Sequence, residues 1–465
     1  MGIPGNPEKS FSYLSCMSKS GGLAVLAAFR KSLPHLFCLA FLLLLGACSG
    51  GGGSSSDRSA PDLSDSFVYM LDSPYAPVLK NCATATDEAD LCSMDVLPLI
   101  GQDTSTPTVA DVMDRVVVSH AWMGARFEQV LKQLPPDILT LFKGVTGIVI
   151  DSDIRPSSYR WGPAVIYLDP ANLWLTNDEK ATISRASDYR SDYGADLQFI
   201  SLWRYVLNND YAYDYYPLNG TETRQSGDVL YPMAAILYHE LGHANDFLPP
   251  TLQSSLDRHL TPYRAILSLL DVNVAAHLYA TYPLQSQIWG DLGQVLYFGI
   301  PPTEEQQSYS AAYVGNQFGS DVASDPYGYS TIHEDLAMLF EETMMKYHYD
   351  IDRDVAFTDR PASGTPTCDD YLVQWGTRNR IGKTTVKSRA QLVAGELLPE
   401  ADLTAFFASL PAPTAMTTGR GWCSNLSLGA VPAGGRPGQN IPPEQIWQDM
   451  RVPGEETGPA PSFNP

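Results

Sequence analysis

The pattern of apolar and polar positions divides the chain into short strands and helices. The runs 147–150 and 164–168 are β-branched and bounded by Asp, Ser and Pro, which predicts two strands, and 67–69 has a similar character. Apolar residues recur at helical spacing over 111–133 and again over 252–296, where the pattern breaks near Pro283. Mixed helices and short strands in this order predict an α+β fold.

A further helix is predicted between Asp228, which can cap an N-terminus, and the pair Pro249-Pro250, which stops it. Within it, residues 239–243 read His-Glu-Leu-Gly-His. His239 and His243 then stand one turn apart on one face, where two imidazoles can occupy adjacent corners of a tetrahedral zinc site. An amphipathic core helix with two buried histidines is the alternative.

Glu240 follows the first of these histidines directly. A carboxylate beside the metal, and not bound to it, can take a proton from water whose pKa the metal has lowered, and later deliver it to a leaving amine. The pattern therefore predicts Glu240 as the general base of a zinc-dependent hydrolase.

A catalytic zinc site needs a third protein ligand, with water in the fourth position. Pro249, six residues after His243, has no side chain that can coordinate a metal, so the third ligand must come from farther along the chain. Residues 332–344 have the apolar spacing of an amphipathic helix. Glu334 can project from that helix toward the first one and complete the site.

These two segments resemble the gluzincins, and among them the catalytic domains related to anthrax lethal factor. That family reads His-Glu-x-Gly-His-Ala-x-Asp, which 239–246 match at every specified position, and then Tyr-Gly with Glu seven residues after the Tyr, which matches Tyr327 and Glu334. The resemblance implies a zincin-like fold, a small sheet packed on the active-site helix with a helical C-terminal subdomain. It also implies one catalytic Zn²⁺ held by His239, His243 and Glu334, and a Tyr327 hydroxyl that donates a hydrogen bond to the oxyanion.

Two residues keep alternative interpretations. Thr331 and Glu334 form a capping-box pattern in which Glu334 would reach back to its own helix N-terminus, leaving Glu341, Glu342 or His333 as the ligand. Relatives commonly carry Glu four residues after the ligand, where this chain has Met338. Asp246, near the end of the first helix, either orients a ligand histidine or is a solvated carboxylate.

The N-terminal segment predicts export and lipid attachment. An apolar run over 36–45 follows two basic residues, and small residues precede Cys48, as in a bacterial lipoprotein signal. The following Ser-Gly-Gly-Gly-Gly-Ser is a flexible tether, and Ser49 favours the outer membrane. A plain cleaved signal or an anchor helix is the alternative.

The predicted organisation has six parts. These are a signal peptide 1–47, a tether 48–62, an irregular segment 63–107, a catalytic domain 108–350, a C-terminal extension 351–431 and a Pro/Gly-rich tail 432–465. The catalytic domain includes a tyrosine-rich insertion over 176–227, whose rings either pack it onto the core or line a substrate groove.

Charge and cysteine content restrict the partners and the compartment. With 30 basic and 52 acidic residues the net charge is −22, which repels nucleic acid and anionic lipid. The expected partners are a protein or peptide substrate, with membrane contact through the lipid only. Two disulfides, each closing within one region, are expected in an oxidising compartment: Cys82 with Cys92, and Cys368 with Cys423.

Together these features predict a zinc endopeptidase tethered to a bacterial cell envelope. A zincin-like lipoprotein that binds or scaffolds without turnover is the competing hypothesis. Glu240 favours the enzyme, because a metal-binding scaffold has no use for a general base beside the ligands.

Overall fold

The computed structural model describes residues 60–428, except residues 187 and 363. The strands are β1 (Phe67–Val68), β2 (Val116–Val118), β3 (Gly147–Ile150), β4 (Ser158–Arg160), β5 (Val165–Leu168), β6 (Phe199–Leu207), β7 (Asp210–Tyr211), β8 (Asp352–Asp359), β9 (Val373–Arg378) and β10 (Thr414–Ala415). The α-helices are α1 (Leu79–Ala83), α2 (Ile100–Asp103), α3 (Val109–Met113), α4 (Ala121–Leu131), α5 (Asp137–Leu141), α6 (Asn177–Ala181), α7 (Leu230–Phe247), α8 (Pro262–Leu267), α9 (Val274–Thr281), α10 (Gln287–Phe298), α11 (Glu304–Gln307), α12 (Ala311–Ser320), α13 (Ile332–Tyr349), α14 (Thr384–Leu397) and α15 (Thr404–Ser409).

The predicted α+β class is confirmed, with two separate sheets. The first sheet has the order β1-β2-β3-β5-β4, in which β2, β3 and β5 are parallel and the two edge strands are antiparallel to their neighbours. The predicted strands 147–150 and 164–168 are its centre. Edge strand β4 packs beside α7, so this sheet forms one wall next to the His-Glu-Leu-Gly-His segment.

The prediction of one helix over 111–133 is wrong in its middle, where the chain forms the strand β2. Val116, Val117 and Val118 are fully buried and pair in parallel with β3. Three consecutive β-branched residues suit a strand covered on both faces, and this local preference overrides the helical spacing of the flanking residues.

The second sheet is antiparallel and joins two distant regions of sequence, in the order β10-β9-β8-β6-β7. Strand β6, from the tyrosine-rich insertion, pairs with β8 from Phe199↔Asp359 to Val206↔Asp352. The predicted domain boundary after residue 350 therefore separates α13 from β8. Strand β8 is hydrogen-bonded to β6 of the insertion. Residues 351–428 belong to the same compact unit as the described part of the catalytic segment.

The two longest helices pack against each other in the centre of the main core. Every residue of α7 from 233 to 246 is buried, as expected for a helix covered on all sides. Helix α7 approaches α13 at Gly242, where a Cβ atom would lie 3.5 Å from the ring of Phe340. Close packing brings the polar face of α7 against that of α13.

Both predicted disulfides are present, Cys82–Cys92 and Cys368–Cys423. The predictions for the signal peptide, for Cys48 and for the tail 432–465 lie outside the described residues, as does nearly all of the tether. Within residues 60–428, no helix is both long enough and apolar enough to cross a membrane.

Candidate metal centre

Helix α7 begins and ends much as its sequence predicts. It starts at Leu230 after a 3₁₀ turn over Ser226–Val229, which contains Asp228, and it ends at Phe247, two residues before Pro249. Asp228 accepts a hydrogen bond from the Gln225 amide, so it caps the 3₁₀ turn and not the α-helix itself. His239 and His243 lie one turn apart on the face that meets α13.

Three ligand atoms from the two helices converge within this buried core. Nε2 of His239 lies 3.0 Å from Oε2 of Glu334 and 3.2 Å from Nε2 of His243, and the distance from Nε2 of His243 to Oε2 of Glu334 is 3.4 Å. Among the described residues, this is the cluster of His, Cys, Asp and Glu that could hold a metal ion.

The size of this triangle fits a tetrahedral metal. Metal–ligand bonds of about 2.0–2.2 Å place neighbouring corners of a tetrahedron about 3.3–3.6 Å apart, close to the three distances found. Two imidazole nitrogens and one carboxylate oxygen are also a donor set that zinc accepts. Small adjustments of side chains would therefore be enough to admit Zn²⁺.

Glu334 points at the histidines and not at its own helix N-terminus. Thr331 does cap α13, because its hydroxyl oxygen accepts a hydrogen bond from the Glu334 amide at 3.1 Å. The Glu334 carboxylate, however, is fully buried between His239, His243 and the Tyr327 hydroxyl. Of the two hydrogen bonds in a capping box, the one that Thr331 accepts is therefore present. The Glu334 side chain is part of the metal cluster instead.

The electrostatic environment of the cluster favours a positive charge on His239 of α7 and a negative charge on Glu334 of α13. Burial opposes ionisation of Glu334, but the charges and hydrogen bonds of His243 and His239 outweigh it and hold the pKa of Glu334 well below its usual range. Burial likewise opposes a charged His239, yet Glu334 and Glu341 raise the pKa of His239 to about 10. For His243, burial dominates and lowers the pKa.

Glu240 sits beside the cluster in a different environment. It is fully buried, and neither carboxylate oxygen makes a hydrogen bond with the described residues. Burial raises its pKa to about 8, against the opposing charge of His239. The backbone amide of Tyr159 in β4 is near enough to lower this pKa slightly, but it does not meet the geometry of a hydrogen bond to Glu240. A buried carboxylate without a partner normally costs stability, which makes it a functional candidate.

Tyr327 lies on the His239 side of the cluster. Its ring stacks on the His239 ring with centroids 6.3 Å apart and planes inclined by 19°. Its hydroxyl donates to Oε1 of Glu334 at 3.1 Å. The phenol is therefore within hydrogen-bond reach of the Glu334 carboxylate in the cluster.

Asp246 orients a histidine, but not one of the predicted ligands. Its fully buried carboxylate accepts hydrogen bonds from the Ala275 amide at 2.7 Å and from Nδ1 of His333 at 2.6 Å. Both interpretations of Asp246, as a support for His239 or His243 and as a solvated carboxylate, are thus wrong, because the side chain is fully buried and turned toward α9 and the start of α13. His333, considered as an alternative ligand, is held away from the cluster.

The carboxylate that supports a ligand histidine is Glu341. Its Oε2 lies 3.0 Å from Nδ1 of His239, while its Oε1 accepts from the Tyr205 hydroxyl at 2.6 Å. With Nδ1–H donated to Glu341, Nε2 of His239 is the nitrogen that faces the metal position. The sequence carried a signal for this role, since Glu341 follows Glu334 by two helical turns on the same face of α13.

The tyrosine-rich insertion contributes to the back of the site through its strand β6. Tyr205 is buried and contacts Glu341. The centroid of the Tyr213 ring lies 6.3 Å from that of the Tyr205 ring. Tyr211 contacts Cys423 Sγ at 3.4 Å. These rings pack the insertion onto the core, as the first of the two interpretations expects.

Arg353, on the neighbouring strand β8, connects this layer to Tyr327. Its guanidinium bonds the Asp325 carboxylate at 2.8 and 2.9 Å, and Asp325 accepts a hydrogen bond from the Tyr327 amide at 2.9 Å. The same guanidinium lies 4.1 Å above the ring of Trp203. Residues from the second sheet therefore fix the backbone that carries Tyr327, a contribution that no sequence motif indicated.

Comparison with known proteins adds nothing to this geometry. No protein family, no curated protein and no solved structure matches the chain significantly.

Proposed function

We propose that this protein is a zinc-dependent endopeptidase of the gluzincin type. The observation that carries the proposal is the buried triangle of His239, His243 and Glu334, with the unpartnered carboxylate of Glu240 beside it. A site built only to hold a metal would have no reason to bury a fourth ionisable group without a hydrogen bond.

In the proposed mechanism each residue has one task. Zn²⁺, when bound, acts as a Lewis acid and lowers the pKa of water. Glu240 takes the proton from the attacking water and delivers it to the leaving amine. Burial raises the pKa of Glu240 in the metal-free site, and a bound dication beside it would act in the opposite direction and favour the ionised base. Tyr327 moves its hydroxyl hydrogen bond from Glu334 to the oxyanion of the tetrahedral intermediate.

The proposed substrate is a protein or peptide in extended conformation. Strand β4 is an edge strand of the first sheet and packs beside α7, with its Tyr159 amide close to Glu240. An extended peptide can pair with such an edge and bring a scissile carbonyl to the cluster. A zincin-like fold is proposed on the same grounds, the small sheet beside the active-site helix.

The deciding experiment combines metal analysis with cleavage of a peptide library. We expect about one zinc per purified chain, and peptide cleavage that a chelator abolishes and added zinc restores. Stoichiometric zinc without cleavage of any peptide would instead support the non-catalytic binding or scaffold lipoprotein.

We further propose that the protein is lipid-anchored through Cys48 at a bacterial outer membrane, as its N-terminal sequence indicates. Cys48→Ser should move the protein from the membrane fraction to the soluble fraction. Continued membrane attachment of the variant would contradict this anchor.

A further inference from the structure

The ring of Tyr327 contacts the rings of two residues from other helices. Tyr327 lies on the 3₁₀ turn Pro326–Tyr329 and is only 5% exposed. The His239 ring of α7 is stacked on it, with centroids 6.3 Å apart. The ring of Tyr297, near the end of α10, meets it edge to face, with centroids 4.9 Å apart and planes inclined by 65°. The phenol is therefore held by α7 and α10 as well as by its own turn.

Tyr297 belongs to a continuous face of α10 that packs on this 3₁₀ turn. Trp289, Gly293 and Tyr297 follow one another at four-residue intervals, so they lie on one side of the helix. The fully buried ring of Trp289 lies 5.7 Å from the ring of Tyr329 at the end of the turn. We refer to these three residues of α10 as the α10 face.

Gly293 allows the helix and the turn to approach each other closely. A Cβ atom at this position would lie 2.5 Å from the carbonyl oxygen of Tyr329 and 3.0 Å from its carbonyl carbon. Because both atoms belong to the backbone, rotation of a side chain could not relieve the overlap, and the turn would have to move. At Gly290, on the same helix, nothing lies within 4 Å of the corresponding position. The close approach is thus a property of the α10 face.

Hydrogen bonds hold the backbone of the turn at two further points. Asp325 accepts from the Tyr327 amide at 2.9 Å, and the Tyr329 hydroxyl donates to the Asp321 carboxylate at 2.7 Å. These bonds fix where the Tyr327 side chain begins, but the direction of its phenol depends on rotation about the side-chain bonds. The contact with Tyr297 acts on the ring itself and opposes such rotation.

We propose that Tyr297, carried by the α10 face, is a positioning residue that holds the Tyr327 phenol at the metal cluster. This inference rests on the proposed peptidase function, in which Tyr327 donates to the oxyanion, and it adds a residue outside both predicted motifs. A donor stabilises developing charge best when its position is fixed before the charge forms. A displacement of about 1 Å can cost about a hundredfold in rate.

The first test locates the phenol and does not need turnover. In the full chain with 3-fluorotyrosine at position 327, the fluorine resonance should be shifted by the neighbouring rings and protected from a soluble paramagnetic agent. Tyr297→Leu should move this resonance toward that of free 3-fluorotyrosine and expose it to the agent. Tyr297→Phe should retain the original signal, because it keeps the ring that makes the contact.

Gly293→Ala is the second variant, in case Tyr297→Leu does not fold. Its Cβ would displace the turn from α10, so the fluorine resonance should move here as well. Gly290→Ala is the matched control, because it makes the same substitution on the same helix where there is open space. It should leave the resonance unchanged. Thermal unfolding checks the folding of each variant.

Kinetics then separate positioning from a role in folding stability alone. Tyr297→Leu should lower kcat about tenfold and leave KM nearly unchanged, the pattern of an interaction made only in the transition state. In a chain that already carries Tyr327→Phe, it should lower kcat no further, because the group that it positions is gone. A residue that merely stabilises the fold would act equally with and without the Tyr327 hydroxyl.

An unchanged fluorine signal in both Tyr297→Leu and Gly293→Ala would overturn the proposal. Equal losses of kcat with and without the Tyr327 hydroxyl would overturn it too. If the resonance moves as expected while no peptide is cleaved, the positioning of Tyr327 by Tyr297 stands and the peptidase function fails. Chelator-sensitive cleavage with an unmoved resonance would have the opposite meaning.

Discussion

Nδ1 of His239 lies 3.0 Å from Oε2 of Glu341, so the first histidine of α7 is held between two carboxylates of α13. Glu334 faces its Nε2 atom, and Glu341 accepts from the opposite side of the ring. This relationship fixes the direction of the ring before any metal binds, and it keeps the remaining proton on Nδ1 when the Nε2 proton gives way to the metal.

Glu341→Gln should therefore weaken zinc binding by about 10- to 100-fold without removing a ligand. The amide is a poorer acceptor for Nδ1–H, which makes the imidazole less basic and its orientation less certain. Competition with a chromophoric chelator at several pH values measures the affinity, which is corrected in both proteins for the proton that His239 gives up to zinc. Glu342→Gln is the matched control, since burial raises the pKa of Glu342 to about 8, so that a neutral amide changes little there near pH 7. Equal zinc affinity of wild type and Glu341→Gln would show that the 3.0 Å contact has no effect on the metal.

Substitutions at Glu334 and Thr331 distinguish metal binding from helix capping at the N-terminus of α13. Glu334→Gln should lose zinc, because a neutral amide replaces the anionic oxygen of the site. Thr331→Ala should keep zinc and lower the free energy of unfolding by about 1 kcal/mol, because it removes the cap bond to the Glu334 amide. Zinc titration and chemical denaturation measure the two effects. Full zinc occupancy in Glu334→Gln would refute the ligand assignment.

The metal cluster could be predicted from sequence because its spacing is a property of helices. His239 and His243 share a face by their four-residue separation. The pairing of the two helices is implied by the resemblance of the segments around Glu240 and Glu334 to the two-helix pattern of a known family. Glu341 could have been found by the same spacing from Glu334. The sequence leaves Glu341 as an alternative ligand, because it does not show which atom of His239 faces which carboxylate.

The supporting layer could not be predicted, because it depends on pairing between distant strands. Tyr205 and Arg353 are opposite each other in the register of β6 and β8, although 148 positions separate them in the chain. A run of tyrosines and a segment of alternating charges give no information about such a partner. The predicted role of Asp246 is wrong for a similar reason, since the position of its partner His333 depends on how α13 packs against α7.

Glu240→Gln and Tyr327→Phe each remove one proposed catalytic group while the metal ligands stay in place. Glu240→Gln should retain zinc and lose peptide cleavage, because the amide cannot accept the proton from water. Tyr327→Phe should retain zinc and lower kcat by about a hundredfold, the effect of removing one oxyanion donor. Zinc content and single-turnover cleavage of a library-derived peptide measure both. Wild-type turnover by Glu240→Gln would refute the general-base role.

Zinc binding should release protons, because in the metal-free site His239 holds a proton where the metal must bind. Burial opposes that charge, but Glu334 and Glu341 raise the pKa of His239 to about 10. Glu334 is already ionised near neutral pH and His243 is already neutral, since both have lowered pKa values. At about pH 8, binding should therefore displace about one proton from His239, in addition to any from water or from Glu240, whose pKa is about 8 in the metal-free site.

The sign of the pH dependence follows from this competition between proton and zinc for one nitrogen. Affinity should rise at least tenfold per pH unit through the neutral range, more steeply below about pH 8 where Glu240 is also protonated, and level off above about pH 10, where His239 loses its proton without the metal. Calorimetry in two buffers of different ionisation enthalpy counts the released protons. Glu341→Gln removes one of the two carboxylates that raise the pKa of His239, so it should release fewer protons than wild type at the same pH. Proton release well below one per zinc at about pH 8 would mean that His239 is neutral in the metal-free protein.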